Sequence, residues 1–191
     1  MNKRGFIVTG ASLAAVSVLG TGCTTTSGVS SSPAERRQAI DSSADAALTR
    51  LFREARGSEE IVKASRGTLI FPAVVSAGFI VGGSHGQGVM RQAGKSTGYY
   101  RMTEASVGLL GGVQSQALFL SFMTQDALDR FLNSRGWTIG VDGTVTLATV
   151  GANARVTTQT MQQPIVGFVL TNGGLMANVS INGNRITRLD L

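Results

Sequence analysis

Scarcity marks this sequence first. Of its 191 residues one is cysteine, one histidine, one tryptophan and three proline, and 11 acidic side chains stand against 17 basic ones. A single cysteine, Cys23, has no partner within the chain, so no disulfide framework holds the fold. A single histidine, His85, would leave a zinc site or a Ser-His-Asp arrangement resting on one residue, and its neighbour Ser84 would point to the opposite face of a strand. No catalytic set, metal site or cofactor is expected. Glu59 and Glu60 sit at a helix start, where acidic side chains complement the dipole, and do not form an acid–base pair. There is no dense basic run and no nucleic-acid-binding module, which excludes nucleic acid as a partner. Long apolar stretches are also missing, because the run from Phe6 to Leu19 is too short to span a bilayer comfortably.

What is present begins with an export signal over residues 1–22. Lys3 and Arg4 form its positive region, Phe6 to Leu19 its apolar region, and small residues follow. Lys3-Arg4-Gly5-Phe6 is faintly similar to a twin-arginine signal with one arginine missing, which leaves the export route open. Leu19-Gly20-Thr21-Gly22-Cys23 resembles a lipobox, although Gly20 occupies the place three before the cysteine where a large aliphatic residue is usual. Cleavage there makes Cys23 the acylated first residue, palmitate among its chains. Taking 22 from 191 leaves 169 residues, a length that suits one domain. Loss of Lys3 and Arg4 leaves 15 basic residues against 11 acidic, so the net charge falls from +6 to +4. Residues 23–32, rich in Thr, Ser and Gly, form a flexible tether, and 33–191 the single domain.

The spacing predicts helices first. Ser32-Pro33-Ala34-Glu35 is a capping box with proline at the first helical position, and Ile40, Ala44, Ala47, Leu48, Leu51, Phe52 and Ala55 recur at three and four residues until Gly57. Ser58-Glu59-Glu60 should cap a second, shorter helix that Gly67 closes. Short runs rich in Val, Ile and Phe then predict strands at 68–71, 74–82, 88–92, 99–103, 107–114 and 117–123. Thr124 caps an inserted helix carrying Ala127, Leu128, Phe131 and Leu132, which Gly136 ends. Asp142-Gly143 predicts a hairpin between 138–141 and 144–150. Asn172-Gly173-Gly174 and Asn182-Gly183 predict a meander of 165–171, 175–181 and 184–190, with Leu175, Ala177, Val179 and Ile181 on one face. The fold class is α+β: helices, then an extensive antiparallel sheet curled into a sandwich or barrel-like body.

Lys63 to Met90, KASRGTLIFPAVVSAGFIVGGSHGQGVM, resembles the opening of the SYLF domain. Lys63-Ala64, Gly67, Leu69 to Pro72, Ala77-Gly78-Phe79, Gly82-Gly83, Gly86 and Gly88 fill its pattern. The likeness continues through Ser106-Val107-Gly108, Gly112-Val113-Gln114, Thr124 to Leu132, Gly140-Val141, Gly174 to Ala177 and Gly183-Asn184, so it covers about Ala46 to Leu191. Thr97 to Arg101 departs from eukaryotic members, which carry a Trp-Ser-Pro-like segment there, and points to a bacterial lipoprotein branch. The resemblance implies membrane-lipid binding, notably of phosphoinositides, and in eukaryotes an actin interaction. Neither actin nor phosphoinositide is expected in a bacterial envelope, so generic anionic lipid is the partner that carries over.

Gly94-Lys95-Ser96 fails as a phosphate loop, because Gly88 stands one place too far from Gly94 and no helix follows. It reads as a strand-connecting turn. The glycines from Gly82 to Gly88 allow either a close backbone approach to a ligand or a bend in a twisted sheet. Lys63, Arg66, Arg91, Lys95 and Arg101 gather near strand ends, where they would either meet anionic head groups or serve as ordinary solvated turn charges. The expectation is a non-enzymatic, lipid-anchored envelope protein facing the periplasm, at the outer membrane ahead of the inner, that binds anionic lipid. The alternative is a structural or protein-interaction lipoprotein whose partner is another envelope protein.

Overall fold

The structure, a computed structural model, describes residues 32–78, 81–107, 112–148, 162–176 and 180–191. The signal, Cys23, the tether up to residue 31, Thr149 and Val150 of the predicted hairpin, and residues 177–179 of the alternating run lie outside the described residues. The described part belongs to one compact unit, Ser31–Leu191.

Helix α1, Pro33–Glu54, starts as the sequence predicts: the Ser32 hydroxyl accepts from the Glu35 N–H at 3.2 Å, and Glu35 accepts from the Ser32 N–H at 2.6 Å. Such a cap contributes about 1 kcal/mol. The apolar stripe is its buried face, with Ala44, Leu51 and Ala55 fully enclosed. In α2, Ser58–Ala64, the prediction errs at both ends. Gly57, at φ 85°, is the cap, and Ser58 is buried with its hydroxyl donating to the Leu51 carbonyl at 3.3 Å. Ser65 ends the helix, and Gly67 already belongs to a strand.

Among the described residues the sheet has nine strands: β1 Gly67–Gly78, β2 Val81–Gln92, β3 Lys95–Val107, β4 Gly112–Phe122, β5 Trp137–Thr138, β6 Thr146–Leu147, β7 Ile165–Thr171, β8 Gly174–Met176 and β9 Arg185–Arg188. Their order is β5-β9-β3-β2-β1-β4-β7-β6, with β8 also on β7. Among these strands all pairings of the described residues are antiparallel except that of β6 with β7. Helix α3, Gln125–Asn133, is inserted after β4 and capped by the Thr124 hydroxyl as predicted, but it ends before Ser134 and not at Gly136.

The predicted break at Pro72 is a bulge. Proline has no N–H for the ladder, so instead of ending the strand it shifts the register on both sides, between Ile70 and Ala73 toward β2 and between Phe71 and Val74 toward β4. The bulge explains the glycines opposite. A Cβ on Gly88 would lie 2.4 Å from the Ile70 carbonyl oxygen and 2.6 Å from the Phe71 ring, and one on Gly86 3.0 Å from the Ala73 carbonyl oxygen.

Alternation along the strands separates two cores. Leu69, Phe71, Met90, Tyr100, Met102, Leu118, Leu120, Phe122 and Ile186 line the concave side, closed by Leu128 and Phe131 of α3 and by Trp137. Ile70, Val89, Phe119, Val166, Phe168 and Leu170 line the other side, covered by α1 and α2. β7 is buried on both faces, which is why it reads as an unbroken apolar run.

Two hairpin predictions need correction. Asp142-Gly143 joins no antiparallel pair: the Asp142 carboxylate accepts from the Thr138 N–H at 2.6 Å, Ile139 bridges Gly143 in parallel sense, and β6 runs parallel to β7. The chain that starts paired to β9 at Trp137 therefore ends paired to β7 at Leu147, linking the outer strands of a curled sheet. The terminal meander is half right. β8 folds back on β7, but β9 pairs with β3 and β5 at the far end of the order.

Candidate functional site

Where α1, α2 and the β2–β3 turn meet, a cleft of about 440 Å³ opens, lined by Asp45, Leu48 and Phe52 of α1, Val62 and Lys63 of α2, Thr68 and Ile70 of β1, Arg91, and the turn Ala93-Gly94. Its walls are aliphatic and aromatic because α1 presents a second stripe beside its buried one. Asp41, Asp45, Leu48 and Phe52, at steps of four, three and four, share a flank of the helix. Leu48, Phe52 and Val62 are half-buried and continuous with the core beneath the helices. Ala93 and Gly94 take positive φ of 47° and 77°, which makes 93–94 a tight two-residue turn and places Lys95 directly after the cleft wall.

The five cations singled out from the sequence have distinct surroundings. Arg91 is largely enclosed, its side chain 18 % exposed, and its Nη2 meets Asp45 at 2.8 Å, Asp41 at 3.4 Å and the Asp41 carbonyl at 3.4 Å. Nη1 makes one long contact, 3.5 Å to the Gly94 carbonyl, and Nε has no partner. Arg91 therefore ties α1 to the sheet and forms a wall of the cleft. Lys63 stands exposed at its rim, held by Glu59 one turn earlier at 2.7 Å, and that bond holds its ammonium pKa above the usual lysine value. Arg66 is exposed between the lining residues Ser65 and Gly67, and Lys95 is exposed after Gly94. Arg101 is exposed on β3 opposite Gln87 and Thr187. Six residues of strand separate it from Lys95, roughly 20 Å. The structure thus brings Lys63, Arg66, Arg91 and Lys95 around one cleft and leaves Arg101 apart.

Asp41 completes the hub. Its two carboxylate oxygens accept from the Ser96 hydroxyl at 2.7 Å and the Tyr99 hydroxyl at 2.8 Å. Burial, then the hydrogen bond to Asp41, pushes the Tyr99 phenol above its ordinary pKa. Sequence reading missed Asp41 and Asp45 as partners of Arg91 and Leu48, Phe52 and Val62 as cleft walls. The signal was the second helical stripe, hidden because half its members are charged.

Other candidates resolve into structure. His85 is exposed on β2, while Ser84 faces the other way, buried, with its hydroxyl within reach of Glu104 at 3.1 Å and the Asn184 side-chain oxygen at 3.3 Å. The close approach allowed by Gly86 and Gly88 is taken by β1. A second cleft of about 400 Å³, between α3 and residues 142–144, is lined by Asp126, Asp142, Arg130, Trp137 and Gln163. Arg130 is paired with Asp126, so the cleft offers no free cation to an anion. Among the described residues no group of three or more histidine, cysteine or acidic side chains converges as a metal site.

Residues 103–190 match the family model Ysc84, described as Las17-binding protein actin regulator. The matched stretch runs from the middle of β3 through β9 and lies outside the cleft-forming elements. No curated protein matches the chain.

Proposed function

Because the chain carries a domain of the SYLF (Ysc84) family, a lipid-binding and actin-regulator-like family of binding modules, we propose that it is a lipid-anchored envelope protein that docks on anionic head groups. Cys23 is the anchor, and the contact surface is the neighbourhood of the cleft where Lys63 of α2, Arg66 before β1 and Lys95 at the start of β3 stand. The observation that supports this reading is the gathering of those cations around a cleft with apolar walls, the combination a head-group region calls for. Arg91 supports the surface by holding α1 in place. Arg101, farther along β3, gives a second and weaker contact. The role is binding and not catalysis. The protein faces the periplasm, at the outer membrane. Regulation of actin and binding of Las17, for which the family is named, have no counterpart in that compartment.

Docking on another envelope protein calls for an exposed apolar sheet face. Among the described residues the large exposed apolar side chains are Val75, Leu132 and Val141, on β1, α3 and the 139–143 loop. Scattered single residues of this kind are ordinary surface.

The test is flotation of the unit Ser31–Leu191 with vesicles. It should float with phosphatidylglycerol vesicles and stay behind with phosphatidylcholine. Each basic residue near an anionic surface contributes about 1 kcal/mol, so replacing Lys63, Arg66 and Lys95 by Gln should weaken partition about 100-fold. Raising the salt should weaken it as well, since screening acts over about 8 Å at physiological ionic strength. Equal binding to neutral vesicles, or none to either, would leave the protein-docking alternative as the better reading. For the anchor, Cys23→Ala should move the full chain from the membrane to the soluble fraction. Retention after a salt wash would remove Cys23 from that role.

A further inference from the structure

We propose that the α1–α2 cleft is a binding site for a single-chain anionic amphiphile, taken up as a free monomer, whose alkyl tail lies on Leu48, Phe52 and Val62 while its phosphate or carboxylate meets Arg91 and Lys63. The proposal rests on the lipid-binding reading for its choice of ligand chemistry, but it concerns a cavity, not a surface.

Size comes first. A cleft of about 440 Å³ falls within the range of small-molecule sites, roughly 300–1,000 Å³, and is far too small for a bilayer patch. The apolar contribution comes from two helices at once: Leu48 and Phe52 one turn apart on α1 and Val62 on α2, above a floor closed by the fully buried Ile70. Leu48, Phe52 and Val62 are only half-buried, although they are continuous with the core beneath, so a tail laid over them extends that core and removes apolar surface from water. Ala93 and Gly94, both exposed at the rim, have little or no side chain to block entry.

The polar end is set by how unevenly Arg91 is used. Three acceptor contacts fall on Nη2 and one long contact on Nη1, while Nε is enclosed without a partner. A guanidinium presents its donors as a fork suited to two oxygens of one anion, and here Nη1, with its single long contact, is the under-used arm. Asp45, whose side chain is 66 % exposed and also lines the cleft, is the group that an incoming anion displaces. Lys63, at the mouth and held by Glu59, adds a second cation. Asp45 thus acts as an internal competitor, which yields an unusual expectation: removing this one carboxylate strengthens binding.

The test is calorimetric titration of Ser31–Leu191 with decyl phosphate below its micelle concentration, with inorganic phosphate and decanol as half-ligands. Decyl phosphate should bind one saturable site with a negative heat-capacity change, and each half-ligand at least tenfold more weakly. Val62→Trp, which fills the cleft from a half-buried position on α2, should abolish binding, Arg91→Gln should weaken it at least tenfold, and Asp45→Asn should tighten it several-fold. Melting curves recorded alongside ensure that lost binding is not lost folding, and Val62→Trp carries the test if Arg91→Gln destabilises the protein. Absence of decyl phosphate binding, or binding indifferent to Val62→Trp, overturns the inference. Flotation with phosphatidylglycerol vesicles, run on the same variants, reads the surface proposal separately. Vesicle binding without amphiphile binding sinks the cleft alone, whereas amphiphile binding without vesicle binding sinks the surface alone.

Discussion

At the scale of single residues, enclosed charge and exposed charge behave differently here, and Arg91 and Lys95 show it four positions apart. Arg91 is enclosed and faces two carboxylates, so its loss leaves Asp41 and Asp45 with unmatched charge beside the helix. Arg91→Gln should lower unfolding stability by about 1–3 kcal/mol, and Lys95→Gln, on an exposed turn, should stay within about 0.5 kcal/mol, both measured by urea denaturation. Arg91→Gln unfolding with wild-type stability would mean that α1 is held by its apolar stripe alone. The two tyrosines give a pH readout. Burial raises the Tyr100 phenol, and burial followed by the bond to Asp41 raises Tyr99. Both pKa values are higher folded than unfolded, so their contribution to stability is complete below the unfolded value of about 10 and is lost as pH rises through the folded ones. Tyrosinate absorbance in the native protein should therefore appear at higher pH than in urea, with stability falling over the same alkaline window. Coincident titrations would show that neither ring is held as described.

Elements built from local rules were legible in the sequence, and elements built from distant contacts were not. The α1 capping box and the Thr124 cap are decided by residues within four positions of one another, so the chain announces them, and it announces a turn at Gly94 as well, although Lys95 and Ser96, read as part of that turn, already belong to β3. Partners of β9 and β6 are decided by curvature. Nothing between Asn182 and Arg185 says that the strand skips β8 for β3. Pro72 misled for a related reason: proline is a strand breaker locally, but a strand paired on both sides has enough ladder left to absorb it as a bulge. In the candidate site, the cations were visible as residues and their acidic partners were not, since Asp41 and Asp45 reach Arg91 across 50 and 46 positions of chain. The bulge supports a sharp prediction. With the Ile70 carbonyl oxygen 2.4 Å from a Cβ at Gly88, Gly88→Ala must push backbone on a central strand, whereas a Cβ at Gly173 would meet only the Thr171 hydroxyl, at 3.8 Å. Gly88→Ala should cost about 3 kcal/mol or more, beyond ordinary overpacking, and Gly173→Ala about 1 kcal/mol or less by chemical denaturation. Equal costs would mean that β1 and β2 slide apart easily at the bulge.

At the scale of the whole domain, the question is whether the curled sheet behaves as one cooperative body or as a central β3-β2-β1-β4 sheet with loosely attached ends. Trp137 is placed to answer it. As the only tryptophan in the chain it is an unambiguous optical probe, it lies on β5 at one end of the strand order, and it is 2 % exposed. Its ring meets Phe131 of α3 at 5.7 Å and Phe122 of β4 at 6.4 Å, and Phe131 in turn meets Tyr100 of β3 at 5.1 Å and Phe122 at 5.0 Å. Four elements distant in strand order therefore share one aromatic cluster inside the curl, with pairs of this kind adding about 0.5–1.5 kcal/mol each beyond the area they bury. The chain leading from Trp137 reaches β7 at residues 146–147, so the segment next to the probe is bonded to both ends of the sheet. Loosening either end should disturb the cluster, and loosening the cluster should release both ends. Tryptophan emission and far-ultraviolet circular dichroism should consequently follow a single coincident transition in urea. Phe131→Ala, which removes the shared ring, should lower stability by about 3–5 kcal/mol while keeping the two probes coincident. An emission change that precedes the loss of ellipticity would show that β5, β9 and α3 detach as a separate unit, and the concave core would then be a lining of the sheet and not the joint that closes it.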